Sequence, residues 1–251
     1  MADMSAPSPL VRLQDIRFGF PGHTTPLFND LEFSLPAQER IGLIGPNGSG
    51  KTTLLRVIMG LLAPQHGSVS FSGSPVHTRE DWRTLRQHIG FVFQDSDDQL
   101  FCPTVLEDVA FGPRNLGLSR EHARTRALET LADLELTALA AAMTHTLSGG
   151  QKKLVALATV LAMRPQALLL DEPTNDLDHD ARNRLIDILE RLDTALLIVS
   201  HDWDFLDQTT SRLCELHAGQ LECNGNVTLH SHVHAHIRGG VPHKHGDSSP
   251  S

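Results

Sequence analysis

Gly45-Pro46-Asn47-Gly48-Ser49-Gly50-Lys51-Thr52 follows the run Arg40-Ile41-Gly42-Leu43-Ile44 and leads into Thr53-Leu54-Leu55-Arg56-Val57-Ile58-Met59. The order is strand, glycine loop, helix, and the pattern G-x-x-x-x-G-K-[ST] is that of a phosphate-binding loop. A triphosphate needs several donors at close range. Only a loop with little side-chain bulk lets backbone N–H groups surround it, and the following helix adds the positive end of its dipole. Lys51 has the reach for the β- and γ-phosphates, and Thr52 offers a hydroxyl to Mg²⁺. The loop implies a nucleotide and leaves open what the nucleotide drives.

The surrounding chain sets bounds. Its 251 residues suffice for one α/β domain with an insertion or for two small domains, and 40% hydrophobic residues suit a globular core. A formal net charge of −9 argues against a dedicated nucleic-acid binder, which needs a basic face. Cys102, Cys214 and Cys223 are scattered, so no disulfide framework is expected and a reducing cytoplasm is the expected setting. Residues 1–9 are small and Pro/Ser-rich, without the charged and apolar regions of a signal peptide. The longest apolar runs have strand length, so any work at a membrane is expected to go through a partner.

Strands are expected at Leu10–Phe18 and Leu31–Leu35, with turn signals at Pro21-Gly22 and Asn29-Asp30 between them. Further strands are expected at Ser68–Phe71 and Ile89–Phe93. Residues 95–143 show helical period, as in Arg120–Leu134, and predict a helical insertion. A helix over Gly149–Met163 is stopped by Pro165, and buried strands at Ala167–Leu170 and Ala195–Val199 flank a helix at Ala181–Leu192. Such alternation predicts a mainly parallel sheet with right-handed crossovers. Leu213–Leu216 and Gln220–Cys223 predict a closing hairpin. Residues 224–251 are His-, Gly- and Ser-rich without apolar period, and a disordered tail is expected there.

Two more stretches carry chemistry. Leu168-Leu169-Leu170-Asp171-Glu172 delivers a carboxylate to the C-terminal end of a buried strand, where open α/β sheets bind ligands. Asp171 is suited to Mg²⁺, and Glu172 to polarising a water as general base. Leu147-Ser148-Gly149-Gly150-Gln151 opens a helix and forms a second anion-binding helix start. Two such starts in one chain are economically explained if each belongs to a different composite site.

Leu147–Gln151, lying between Gly45–Thr52 and Leu168–Glu172, resembles the signature motif of ABC-type ATPases, and the likeness spans about residues 10–223. It implies a P-loop NTPase fold of the α/β class. Its parts would be a RecA-like parallel core sheet, an N-terminal antiparallel β subdomain and a helical subdomain at about 95–143. It also implies that Phe20 stacks on adenine, with Phe18 the rival assignment. Thr53 and the loop residues hold nucleotide. Gln94 touches Mg²⁺ and senses the γ-phosphate, and His201 is the switch histidine. Pro173–Asp178 crosses to the partner, with Asp178 at the nucleotide. Two copies then sandwich two ATP molecules, Ser148, Gly149, Gly150 and Gln151 of one facing the cleft of the other.

Phe93–Pro113 more specifically resembles the ATPases of energy-coupling factor importers of vitamins and transition-metal ions. That resemblance implies a homodimer on the cytoplasmic face of the cell membrane. Its partners would be a transmembrane coupling subunit and a substrate-binding membrane subunit, with Leu100, Phe101 and Phe111 forming the docking groove. His230, His232, His234, His236, His243 and His245 carry imidazoles suited to Ni²⁺ or Co²⁺. Nickel or cobalt is therefore the favoured cargo and a vitamin the alternative; the alternatives of another class are a soluble ABC ATPase and a metal-binding storage protein.

Overall fold

The computed structural model describes residues 9–223. Strands β1 (Val11–Phe18), β2 (Phe28–Leu35), β4 (His66–Phe71) and β5 (Ser74–Pro75) form an antiparallel sheet in the order β2-β1-β4-β5. Inward residues of β1 alternate with exposed ones, as a sheet with one packed face requires. Asn29-Asp30, a turn signal in the sequence, lies inside β2. Asp30 has φ 54° where the β1–β2 register shifts, and its carboxylate pairs with Arg17 at 2.7 Å. The turn chemistry is used for a β-bulge.

The second sheet has the order β10-β9-β3-β8-β7-β6. Its members are β3 (Arg40–Ile44), β6 (Ile89–Val92), β7 (Ala167–Asp171), β8 (Ala195–Val199), β9 (Arg212–His217) and β10 (Gln220–Glu222). All pairings except β9–β10 are parallel. β7 and β8 are wholly buried yet still alternate between two cores. Ala167, Leu169, Leu197 and Val199 face the first, with β1, β2 and helix α1 (Lys51–Ile58). Leu168, Leu170, Leu196 and Ile198 face the second, with α3 (Val105–Asn115), α4 (Arg120–Asp133), α5 (Gly149–Leu161) and α6 (His179–Arg191). The helical segment after β6 thus shares a core with the sheet.

Two helices have no counterpart among the expected elements, α2 (Arg79–His88) and α7 (Trp203–Thr209). Only Leu85 of α2 is buried, so apolar period is absent. A capping box between Thr78 and Asp81 starts the helix instead. The cysteine expectation is also corrected. The β9–β10 register pairs Leu216 with Leu221 and Glu215 with Glu222, which sets Cys214 opposite Cys223, and the two form a disulfide. Spacing alone hides this because the hairpin makes the proximity. The same hairpin backs the phosphate loop: the Leu216 carbonyl fills the space a side chain at Gly45 would need.

Candidate nucleotide-binding site

Parallel pairing puts the C-terminal ends of β3, β6, β7 and β8 on one edge of the sheet. The phosphate loop follows β3, Gln94 follows β6, Asp171 ends β7 and His201 follows β8. Four stretches far apart in sequence therefore meet at one cleft of about 800 Å³. Phe20, Asn47, Gly48, Gly50, Lys51, Thr52, Thr53, Gln94, Glu172 and His201 all line it. Phe20 is 44% exposed at the cleft, whereas Phe18 is buried and meets it edge-on at 5.1 Å. Between the two candidates for base stacking, Phe20 has the accessible face.

Helix α1 starts without a side-chain cap. Its N-cap is Gly50 at φ 106°, where an added Cβ would press on Leu27 and Phe28. Lys51 Nζ donates to the carbonyls of Gly45 (2.8 Å) and Pro46 (3.1 Å), so the lysine spans the loop. Burial lowers its pKa, against the opposing pull of Glu172 and Asp171. Ser49 Oγ is buried in the same loop with no hydrogen-bond partner among the described residues.

At the cleft floor Thr52 Oγ1 donates to Asp171 Oδ1 at 3.0 Å. Asp171 is 2% exposed, and burial raises its pKa despite the Thr52 hydrogen bond and the charges of Arg56, Lys153 and Lys51. A buried, electrostatically strained carboxylate beside a hydroxyl is an all-oxygen donor pair, which suits a hard divalent cation. The residues present therefore fit Mg²⁺.

Glu172 sits at φ 46°, rare for a residue with a side chain. Its N–H donates to Val199 O at 2.9 Å, and its carboxylate accepts from the His201 N–H at 3.3 Å. His201 Nε2 is 3.3 Å from Glu172 Oε1. Burial raises the Glu172 pKa, and the neighbouring His201 opposes the rise. The raised pKa makes its carboxylate a better base than a solvated one.

Other predicted residues lie elsewhere. Ser148 caps α5: its Oγ accepts from Gln151 N (3.3 Å), and Gln151 Oε1 accepts from Ser148 N (3.0 Å). Ser148, Gly149, Gly150 and Gln151 do not line the cleft of their own chain, and Gly150 packs toward Ala181 on α6. Asp178 is not at the cleft either. Its carboxylate caps α6 by accepting from Ala181 N at 2.8 Å, so in this chain it acts as a helix cap. Asn175, not singled out in the sequence, does line the cleft. Lys153 was also missed, although a lysine on the apolar face of α5 was a visible signal. Leu100 is buried in the second core, which removes it from the expected docking groove. Phe101 and Phe111 stand 65% and 43% exposed, edge to face at 4.7 Å. The six tail histidines from His230 to His245 lie outside the described residues.

A phosphate loop, a buried carboxylate and a following glutamate at one sheet edge define an ATPase of the P-loop class. The ABC transporter family model matches residues 28–175, and the chain belongs to that family of ATP-hydrolysing proteins. A protein of Nitratidesulfovibrio vulgaris, named no further than as an ABC transporter ATP-binding protein, is 53% identical over 95% of this chain and 87% of its own. The cobalt import ATP-binding protein CbiO of Rhodobacter capsulatus is 42% identical, covering 87% and 79%. The energy-coupling factor transporter ATP-binding protein EcfA of Methanothermobacter thermautotrophicus is 39% identical, covering 86% and 70%. Among solved structures, cbiO1 of Clostridium perfringens, part of the complex cbiONQ, superposes with a TM-score of 0.75 at 31% identity, covering 86% and 87%. The dimeric cassette MJ0796 bound to ADP and Pi gives 0.77 at 28%, covering 84% and 96%. Among the described residues no helix is long and apolar enough to cross a membrane.

Proposed function

We propose that the chain is the ATPase subunit of an energy-coupling factor importer, with nickel or cobalt as cargo. The observation that carries this reading is the exposed Phe101–Phe111 pair. It stands on the helical side of the molecule, in the stretch that resembles such importers. Asp108 Oδ1 accepts from the N–H groups of Phe101 (3.3 Å) and Cys102 (3.0 Å), so the segment presenting Phe101 is held in place. Exposed paired aromatics on a rigid support suit docking of a membrane subunit. The relatives named for cobalt import and for energy coupling support the same reading.

In this reading Lys51 and the loop amides hold the phosphates, and Phe20 stacks on the base. Thr52, Asp171 and Gln94 hold Mg²⁺, which supplies charge neutralisation at the phosphates. Glu172 accepts the proton of the attacking water, and His201 orients Glu172 and meets the γ-phosphate. Two copies pair head to tail on the cytoplasmic face of the membrane, and Ser148 and Gly150 of one complete the site of the other. Dimeric MJ0796 supports that pairing. The transmembrane coupling subunit and the substrate-binding membrane subunit complete the importer.

Co-purification in mild detergent tests the assembly. The wild-type chain is expected to bring a polytopic membrane protein with it, and Phe101→Asp with Phe111→Asp to lose it while ATP binding persists. Retention by the double variant overturns the docking assignment. For the cargo, deletion of residues 224–251 is expected to leave basal ATPase activity intact and remove most Ni²⁺ or Co²⁺ binding in calorimetric titration. Equal binding by both proteins shifts the reading to a vitamin importer.

A further inference from the structure

Lys153 is 5% exposed and opens the buried run of its helix, followed by Leu154, Val155, Ala156, Leu157 and Ala158. Burying an ammonium group is costly unless it is bonded, and lysine is among the residues least often found inside. Among the described residues its Nζ has one acceptor, the carbonyl of Gln94, at 2.6 Å. Burial lowers its pKa, while Asp176, Asp95, Asp171 and Glu172 surround it with opposing charge. An apolar side chain would fill the same space without that cost. What the lysine adds is a bond to the residue after β6 that faces the cleft.

The bond is part of a wider attachment. Lys152 Nζ pairs with Asp97 Oδ1 at 2.6 Å. Gln99 Nε2 donates to Ala156 O (2.8 Å) and Thr159 Oγ1 (2.9 Å), while Gln99 Oε1 accepts from Phe93 N (3.1 Å). The loop from Phe93 to Gln99 is therefore fastened along α5, the helix that begins at Ser148. Among the described residues, only Lys153 hydrogen-bonds Gln94 itself.

We propose that Lys153 is a positioning residue for ATP hydrolysis: through the Gln94 carbonyl it ties the placement of Gln94 in its own cleft to helix α5. This rests on the assignments of Gln94 and Ser148 given above. Ser148 meets the nucleotide held by the other copy, so the tie also links the two nucleotide sites of a dimer. A shift of α5 as one site closes moves Gln94 at the other.

A double-mutant cycle on the full-length chain tests it. Lys153→Met removes the ammonium at nearly constant volume, and Gln94→Ala removes the side chain being positioned. Lys153→Met alone is expected to lower kcat about tenfold with the KM for ATP changed less than about threefold. In the Gln94→Ala background the same substitution is expected to cost almost nothing further, because its effect passes through Gln94. A full further loss in that background means that Lys153 acts by its charge on Asp171 and Glu172 or by general packing, and overturns the proposal. An unchanged kcat for Lys153→Met overturns it too. Lys153→Gln, polar but too short to reach the carbonyl, is read in the same cycle if the methionine variant does not fold. A silent Gln94→Ala rejects the Gln94 assignment itself, a different failure from additivity on top of a damaging Gln94→Ala.

Discussion

Helices α1 and α5 both begin at glycine-rich turns that the sequence marks as anion sites, and they begin differently. The start of α1 has no side-chain cap, and its N-cap is a left-handed glycine. The start of α5 is closed by its own side chains, Ser148 and Gln151 serving each other's N–H groups. The first is unfinished without a phosphate. The second is finished as a helix end and lies outside its own chain's cleft. A capping box gives the signature turn a fixed shape before any partner arrives, which lowers the ordering cost of meeting a nucleotide on another copy.

The largest effect expected on either side is at the cleft. Glu172→Gln keeps the shape and the left-handed backbone but removes the base. ATPase activity is expected to fall at least about 10²-fold with ATP binding retained; steady-state rates near wild type would remove Glu172 from that role. Next comes the signature side. Ser148→Arg is expected to block hydrolysis while each chain still binds ATP. Mixing it with Lys51→Ala chains should restore activity, because one composite site then has two intact halves. Mixed dimers no more active than either parent would make the two helix starts equivalent and break the comparison.

Smaller effects bear on stability. Asp171 carries a pKa raised by burial, so its ionised form is held at a cost. The stability it contributes is fully present below the ordinary carboxylate value and is lost as pH rises through its raised folded value. Asp171→Asn is therefore expected to stabilise the nucleotide-free protein at neutral pH by about 1 kcal/mol, roughly 2–4 °C in Tm, while losing Mg²⁺-dependent activity. The gain should shrink as pH is lowered, and a melting series against pH reads it. Smallest is Ser148→Ala, expected to cost about 0.5 kcal/mol through loss of the cap. No change in melting would mean that the capping box does not shape the turn.

The cleft was legible in the sequence because parallel strands convert four separated motifs into one edge, and each motif sits at a strand end. Asp178 was less legible: an aspartate before a helix reads equally as a cap, and the structure uses it as one. Leu100 and Phe101 are adjacent and both apolar, so composition could not tell that one enters the core and the other faces out. Helix α2 lacked an apolar stripe because it buries little beyond Leu85, and its only signal was the Thr78–Asp81 pair. The Cys214–Cys223 bond depends on hairpin register, which spacing does not encode.

The wall that the Leu216 carbonyl makes behind Gly45 ties the phosphate loop to a strand far along the chain. Residues 45–52 and β9, the strand that backs them, lie at opposite ends of the described fold in sequence. Without that strand Gly45 has the freedom of a glycine on that side, while Leu27 and Phe28 still pack against Gly50. A chain cut before β9 is therefore expected to bind nucleotide more weakly than the full chain. By linkage, a nucleotide that binds the backed loop also favours the docked β9–β10 hairpin, so the two are expected to stabilise each other.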